Sequence, residues 1–263
     1  FCKGQLKLNE AYEKMGAIPT YTCTPYVVGG CPGFGEHVAW GESSAIIFVN
    51  SVIGARTNRE GGPTALAAAV CGCVPEYGFH LDENRRATHL VKVDYPLKTN
   101  RDFAVMGYYV GKKVGNKVPC FTGITERPVV EQYKSLGAAL ASSGGIALYH
   151  VEGFTPEAPT KEAVLKEEYE TVYFGKDEYA EVEKFFTLKE PADLVVIGCP
   201  HCTINEVVEI AKLLEGKHVK IDTWVCLSHQ VYSLAERMGY VKTLVDAGVT
   251  FVRDTCPILC PTS

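Results

Sequence analysis

Residues 192–198, ADLVVIG, are a short apolar run closed by glycine. A run of that length bounded by a turn signal reads as a strand buried in a parallel sheet. Residues 203–216, TINEVVEIAKLLEG, follow with Ile204, Val207, Val208, Leu213 and Leu214 at helical spacing and Gly216 as a C-terminal stop. Residues 217–226, KHVKIDTWVC, read as the next strand, residues 228–248 as helix in at least two pieces, and residues 249–256, VTFVRDTC, as a third strand. The β-α-β-α-β order implies a parallel sheet with right-handed crossovers. Cys199, Cys226 and Cys256 then fall at or just past the C-terminal ends of the three strands, one βα repeat apart. In an open α/β sheet the ligand crevice lies at those ends, and converging thiolates hold zinc or iron–sulfur. Cys202, in CPHC, and Cys260, in CPILC, are further candidates.

The whole chain narrows the class. Its 263 residues can bury a sizeable core, as one large domain or two, and 22% charged with 46% hydrophobic residues is ordinary for a globular enzyme. A formal net charge of −5 gives no electrostatic case for nucleic acid or an anionic membrane surface. No stretch approaches the roughly 20 apolar residues of a membrane span, and the polar start has no signal-peptide h-region, so a cytoplasmic placement is expected. Residues 1–16, FCKGQLKLNEAYEKMG, lack an initiator Met and read as a helix entered partway. The expectation is an internal piece of a longer protein. The 11 cysteines, an odd number, argue against a closed disulfide framework. Each alone is most simply a small core hydrophobe.

The first half is less regular. Residues 43–53, SSAIIFVNSVI, read as an apolar strand, followed by 54–63, GARTNREGGP. Arg56, Thr57, Asn58, Arg59 and Glu60 crowd donors and acceptors of both signs against an Ala-rich helix that Pro63 would open. A helix N-terminus behind two arginines favours an anion. A solvated charged turn is the plain alternative. Ser142, Ser143, Gly144 and Gly145 can offer hydroxyls and backbone N–H groups to phosphate or carboxylate, or simply make a tight turn. Three segments are expected: residues 1–160 as a first α/β lobe, 161–190 as a solvated helical connection, and 191–263 as the second lobe carrying the cluster cysteines.

Residues 22–26 (TCTPY), 34–63 (FGEHVAWGESSAIIFVNSVIGARTNREGGP), 150–159 (HVEGFTPEAP) and 252–257 (VRDTCP), in that order, resemble the large subunit of aconitase X. This is a branch of the aconitase superfamily of iron–sulfur dehydratases, and the resemblance runs through nearly the whole chain. It implies aconitase-like α/β lobes with parallel sheets and flanking helices, and a cluster site at C-terminal strand ends. The activities implied are dehydration of (R)-5-phosphomevalonate to trans-anhydromevalonate 5-phosphate, in a two-subunit type, or of cis-3-hydroxy-L-proline, in a fused type. GCPHC resembles the former. The resemblance also implies a [4Fe-4S] or [3Fe-4S] cluster on three cysteines, and its motifs match Cys23, Cys226 and Cys256. The strand-end argument prefers Cys199 as the third ligand, and Cys202 stays open too. Cys2, Cys71, Cys73 and Cys120 are left as core or surface thiols.

Dehydrating a β-hydroxy acid needs a base, a way to expel hydroxide and a counter-charge for the enediolate-like intermediate. Lewis-acidic iron can take the hydroxyl, and arginines can hold carboxylate or phosphate bidentately. Arg56, Asn58 and Arg59, with Thr57, are the candidate anion clamp. His37, Glu42 and Ser43 are candidate acid/base or hydroxyl-binding groups, with Ser44 beside them. The superfamily's base is a serine from a separate swivelling domain that nothing in this chain resembles, which implies a small subunit supplying that serine in a heterodimer. A zinc or thiol-rich binding module without catalysis is the alternative from another class.

Overall fold

The computed structural model describes residues 2–186 and 190–258. In chain order these form α1 (Cys2–Lys14), α2 (Ser43–Phe48), α3 (Gly62–Cys71), β1 (Ala87–Val93), α4 (Asn100–Val114), β2 (Pro119–Thr122) and α5 (Val130–Gly144). Then come β3 (His150–Val151), α6 (Lys161–Val164), β4 (Leu165–Phe174), α7 (Lys176–Phe185), β5 (Leu194–Ile197) and α8 (Ile204–Leu214). The last are β6 (Asp222–Leu227), α9 (His229–Arg237), α10 (Tyr240–Asp246) and β7 (Val249–Arg253). Two units divide the chain: Phe1–Val28 with Asp193–Ser263, and Gly29–Ala192. Among the described residues no helix is long and apolar enough to cross a membrane.

The first unit carries the sheet read from residues 192–256. Its three strands pair in the order β5-β6-β7, all parallel. Thr203 caps α8, its hydroxyl accepting from the N–H of Glu206 while the Glu206 carboxylate accepts from the N–H of Thr203. That reciprocal box satisfies two donors a helix start otherwise leaves orphaned. The core gathers Val207 and Ala211 of α8, Val225 and Leu227 of β6, Val231 and Ala235 of α9, Val241 and Leu244 of α10, and Val249 of β7. The helical region after β6 breaks at Gly239, whose φ of 84° no helix interior uses. The polar start is helical as expected, and α1 ends short of Gly16 with φ 93°.

The second unit has a parallel sheet in the order β3-β2-β1-β4. Helices α4 and α5 cross closely on glycines: a Cβ on Gly111 would lie 2.0 Å from Ser143 Oγ, and one on Gly144 2.4 Å from the Gly111 carbonyl. Thr99 and Asp102 form the capping box of α4. The architecture is α/β, with parallel sheets and flanking helices.

Three expectations are corrected. Residues 43–53 are not a strand but α2 continued by a π-helical turn, Val49–Ile53. An apolar run without polar interruption has no period to read, and here every residue from Ser44 to Ser51 is buried, so length and cap decide it. Glu42 caps α2, its carboxylate accepting from Ala45 N–H at 2.7 Å. The segment expected as a helical connection, 161–190, is helical only in α6 and α7: between them Leu165–Phe174 is an edge strand of the second unit's sheet, paired with β1. Its Lys and Glu residues face solvent, which protects an open edge from further pairing, and that charge made the stretch look like a solvated helix. Residues 1–28 also group with 193–263 rather than with the segment up to residue 160.

Candidate functional site

In the first unit, backbone hydrogen bonds draw the cysteine-bearing segments together. Gly198 ends β5 with φ 106°, and a Cβ there would come within 2.2 Å of the Cys226 carbonyl. Only glycine allows that approach. The chain then turns through Cys199–Pro200, a cis peptide, to His201 and Cys202. Cys202 N–H donates to the Cys226 carbonyl at 2.9 Å, and His201 N–H donates to Cys23 Sγ at 3.1 Å. His201 is buried. Its Nε2 lies 2.9 Å from the Thr255 carbonyl, next to Cys256, and its Nδ1 lies 3.3 Å from Thr22 Oγ1, next to Cys23. His201 therefore ties together the segments that carry Cys23, Cys199, Cys202 and Cys256. Cys23 is half-buried, Cys226 fully buried, and Cys199 and Cys256 are exposed. Cys202 packs in the hydrophobic core. Cys260 lies outside the described residues.

A further pair stands between Cys226 and Cys256. The Asp254 carboxylate accepts from His229 N–H at 2.8 Å and lies 3.1 Å from His229 Nδ1, while Asp254 itself holds φ 59°. A non-glycine residue in the left-handed region is uncommon and, beside a candidate ligand, worth noting. His201, His229 and Asp254 had no place in the sequence reading, because nothing in their local pattern separates them from surface polar residues. Among the described residues no group of three His, Cys, Asp or Glu side chains is set to hold a single metal ion.

In the second unit the GARTNREGG block is woven into the fold. Arg56 donates to the His80 carbonyl at 3.1 Å and pairs with Asp82, whose side chain is 82% exposed. Asn58 braces the turn at Gly78: its Nδ2 donates to the Tyr77 carbonyl at 3.0 Å and its Oδ1 accepts from Phe79 N–H at 2.8 Å. Thr57 is buried, its N–H donating to Asn50 Oδ1. Arg59 donates to the carbonyls of Gly145 and Ile146, just past the C-terminus of α5. Beneath lies a buried network absent from the sequence reading. Arg85, 3% exposed, pairs with Glu157 at 2.8 Å and donates to Asn50 Oδ1 and to the Asn50 and Phe79 carbonyls.

His37 is exposed, bridges Arg56 in parallel pairing, and meets buried His80 edge to edge, the two rings within 14° of parallel, their centroids 5.0 Å apart and their Nδ1 atoms 2.8 Å apart. Burial, then the neighbouring His37, holds the His80 pKa below the ordinary histidine value. Glu42 and Ser44 serve the start of α2, with Ser44 Oγ donating to the same Glu42 oxygen that caps the helix. Ser43 is half-buried in the first turn. Ser142 and Ser143 donate back to the Ala139 carbonyl in the last turn of α5. There the helix presents carbonyls and a negative field, which is the wrong sign for an anion.

Family models described as aconitase X first, second and third domain match residues 1–83, 87–184 and 192–263. The phosphomevalonate dehydratase large subunit of Methanocaldococcus jannaschii is 47% identical, over 99% of this chain and 66% of its own length. That of Methanothermobacter thermautotrophicus is also 47% identical, over 99% and 65%. The cis-3-hydroxy-L-proline dehydratase of Hypocrea jecorina is 35% identical, over 95% and 44%. The crystal structure of Thermococcus kodakaraensis aconitase X in its holo-form superposes with a TM-score of 0.90 at 44% identity, covering 97% of this chain and 66% of that one. The chain thus spans about two thirds of the length of these phosphomevalonate dehydratase large subunits.

Proposed function

This chain belongs to the aconitase X family, and on that basis we propose that it is the main part of the large subunit of an iron–sulfur hydro-lyase that dehydrates (R)-5-phosphomevalonate. Identity of 47% to two large subunits so named, against 35% to a cis-3-hydroxy-L-proline dehydratase, favours that substrate over the hydroxyproline.

One observation of the molecule carries the reading: the segments bearing Cys23, Cys199, Cys226 and Cys256 are tied to one another by backbone groups and by His201. Soft thiolate donors suit iron–sulfur, and N–H donation to a ligating sulfur is a way such sites are tuned. The His201 N–H to Cys23 Sγ bond at 3.1 Å is of that kind and supports Cys23 as a ligand. Cys226 and Cys256 complete the proposed set, with Cys199 as the alternative to Cys23. Cys202, in the core, is the weaker candidate. A cluster of several irons spaces its thiolates more widely than one ion does. When bound, it supplies a Lewis acid for the leaving hydroxyl.

The chain's own residues do the rest. Arg56 already holds a carboxylate, that of exposed Asp82, which supports it as an anion-binding group. His37 stands beside it as a second polar group facing solvent. Asn58, Thr57 and Arg59 act on this reading as the frame that fixes the Arg56 backbone, and Glu42 and Ser44 as the frame of α2. The relatives' name, large subunit, supports a small-subunit partner, proposed to supply the catalytic serine in a heterodimer. The test is anaerobic assay of the reconstituted two-subunit protein with (R)-5-phosphomevalonate and with cis-3-hydroxy-L-proline, following the dehydrated product by mass spectrometry. Turnover of the first alone is expected. Turnover of the second alone, or of neither, overturns the assignment.

A further inference from the structure

The His37–His80 pair poses a question of proton bookkeeping. Only one proton can sit between two Nδ1 atoms 2.8 Å apart, so one ring donates and the other accepts. The other nitrogen of His80, Nε2, is buried and meets no polar partner among the described residues. If His37 donates, that buried atom must be an N–H with nothing to receive it. If His80 donates, the buried atom is a bare lone pair. Orphaned buried N–H groups are the rarer and costlier of the two.

Two further observations favour the lone pair. Two guanidinium groups reach the backbone at His80, Arg56 donating to the carbonyl of His80 itself and Arg85 at 3.0 Å to that of Phe79, and both act on the ring as positive charge, against the opposite pull of the single carboxylate Glu60. Positive charge nearby stabilises a lone pair and disfavours an outward N–H. The same unit makes the same choice at His150, which is buried. Its Nε2 lies 2.8 Å from the Arg85 carbonyl and must carry the proton, because a carbonyl only accepts. The unpartnered atom there, Nδ1, is therefore a lone pair.

We infer that His80 is a positioning residue whose Nδ1–H donates a hydrogen bond to His37 Nδ1, fixing the His37 proton on Nε2, so that His37 meets an anionic substrate as a hydrogen-bond donor and not as a base. This deepens the proposed function and rests on it for the identity of the anion. It places His37 beside Arg56, its bridge partner, as a second donor to a phosphate or carboxylate. It also leaves the proton abstraction to another group.

The test uses the full-length large subunit in complex with its partner, with ¹⁵N-labelled histidine, by imidazole nitrogen NMR at neutral pH. The expected result is a proton bonded to His80 Nδ1, coupled across the hydrogen bond to an unprotonated His37 Nδ1, with His37 Nε2 protonated. A proton on His37 Nδ1 with a bare His37 Nε2 overturns the inference, because His37 would then be an acceptor. The wild-type spectrum decides this whatever the variants do. Two variants test the consequence: His80→Asn keeps a donor near the Nδ1 position, and His80→Leu removes it. His80→Leu is expected to raise KM for (R)-5-phosphomevalonate about fivefold, the size of one aimed hydrogen bond, with the smaller change in kcat. His80→Asn should restore most of it. Equal KM in wild type and His80→Leu contradicts the positioning role. Absence of turnover by the wild-type complex sinks the substrate assignment instead and leaves the proton assignment standing.

Discussion

Replacing Gly198 by alanine isolates the contact that brings the end of β5 to Cys226. Two penalties add. The residue holds φ 106°, where an L side chain costs about 1–3 kcal/mol. The new Cβ would also lie 2.2 Å from the Cys226 carbonyl oxygen and 3.1 Å from Cys226 Cβ. The nearest atom is backbone and cannot swing away, so overpacking adds about 1–3 kcal/mol. Gly216→Ala is the matched control: φ is 68° and nothing lies within 4 Å of the added carbon, so only the left-handed cost of about 1–2 kcal/mol remains. Hydrogen-exchange mass spectrometry on the full two-subunit protein reads the local difference. An extra penalty of about 1–3 kcal/mol corresponds to roughly 5- to 150-fold faster exchange in the peptides spanning β5 and β6 for Gly198→Ala, relative to the control. Equal exchange in the two variants would refute the claim that this close approach organises the cysteine loop.

Three other outcomes follow from the second unit. Burial pushes the Cys120 thiol up to about 12, so native protein at pH 8 should leave Cys120 unalkylated by iodoacetamide while the exposed Cys71 and Cys73 react, as peptide mapping will show. Arg85→Met should cost about 3 kcal/mol of stability in urea titrations, because it strands Glu157, whose side chain is 15% exposed, as a half-buried charge without its partner. A change below about 1 kcal/mol would contradict that. For Asp102, burial acts to raise the pKa but is outweighed by backbone N–H bonds from Lys98 and Thr99, with the Thr99 and Tyr179 hydroxyls adding to them, so the net shift is downward from 3.8. A depressed carboxyl stabilises the fold above its unfolded pKa and loses that contribution as pH falls through the folded value. Asp102→Asn should therefore lower the melting temperature at pH 7, and the gap should close in acid, below about pH 4. A gap unchanged at low pH would count against the ion as its cause.

The carboxyl-terminal βα repeats were legible because each apolar run is short and each helix has a period and a stop: Ile204 to Leu214 alternates faces, and Gly216 and Gly239 interrupt. Residues 43–53 were opaque for the opposite reason. A helix buried all round shows no amphipathic face, and the cap that identifies it is a Glu, an unusual choice beside Ser, Thr, Asp or Asn. Leu165–Phe174 hid its strand under charge suited to an exposed edge. Among the proposed site residues, Cys199, Cys226 and Cys256 stand out by their recurrence at strand ends and the arginines by their density, whereas Cys23 is singled out only by the resemblance of its motif. What the pattern does not encode is where long polar side chains terminate. Arg59 ends on the carbonyls of residues 145 and 146, and Arg85 ends on Asn50 and Glu157. His80 reaches His37 across a turn held by Asn58 and Gly78. Each of these pairings joins residues far apart in the chain, so no local window displays them. Ser142 and Ser143 have the right chemistry for an anion but sit at the helix end of the wrong polarity.

The proposed function stands or falls on whether thiolates of this chain hold an iron–sulfur cluster. Iron and acid-labile sulfide analysis, with an electron paramagnetic resonance spectrum, on the anaerobically purified two-subunit protein tests it most directly. Near-equal iron and sulfide are expected, lost in Cys226→Ala, Cys256→Ala and Cys23→Ala and retained in Cys71→Ala. Zinc without sulfide, or a cluster that survives Cys226→Ala, would contradict it.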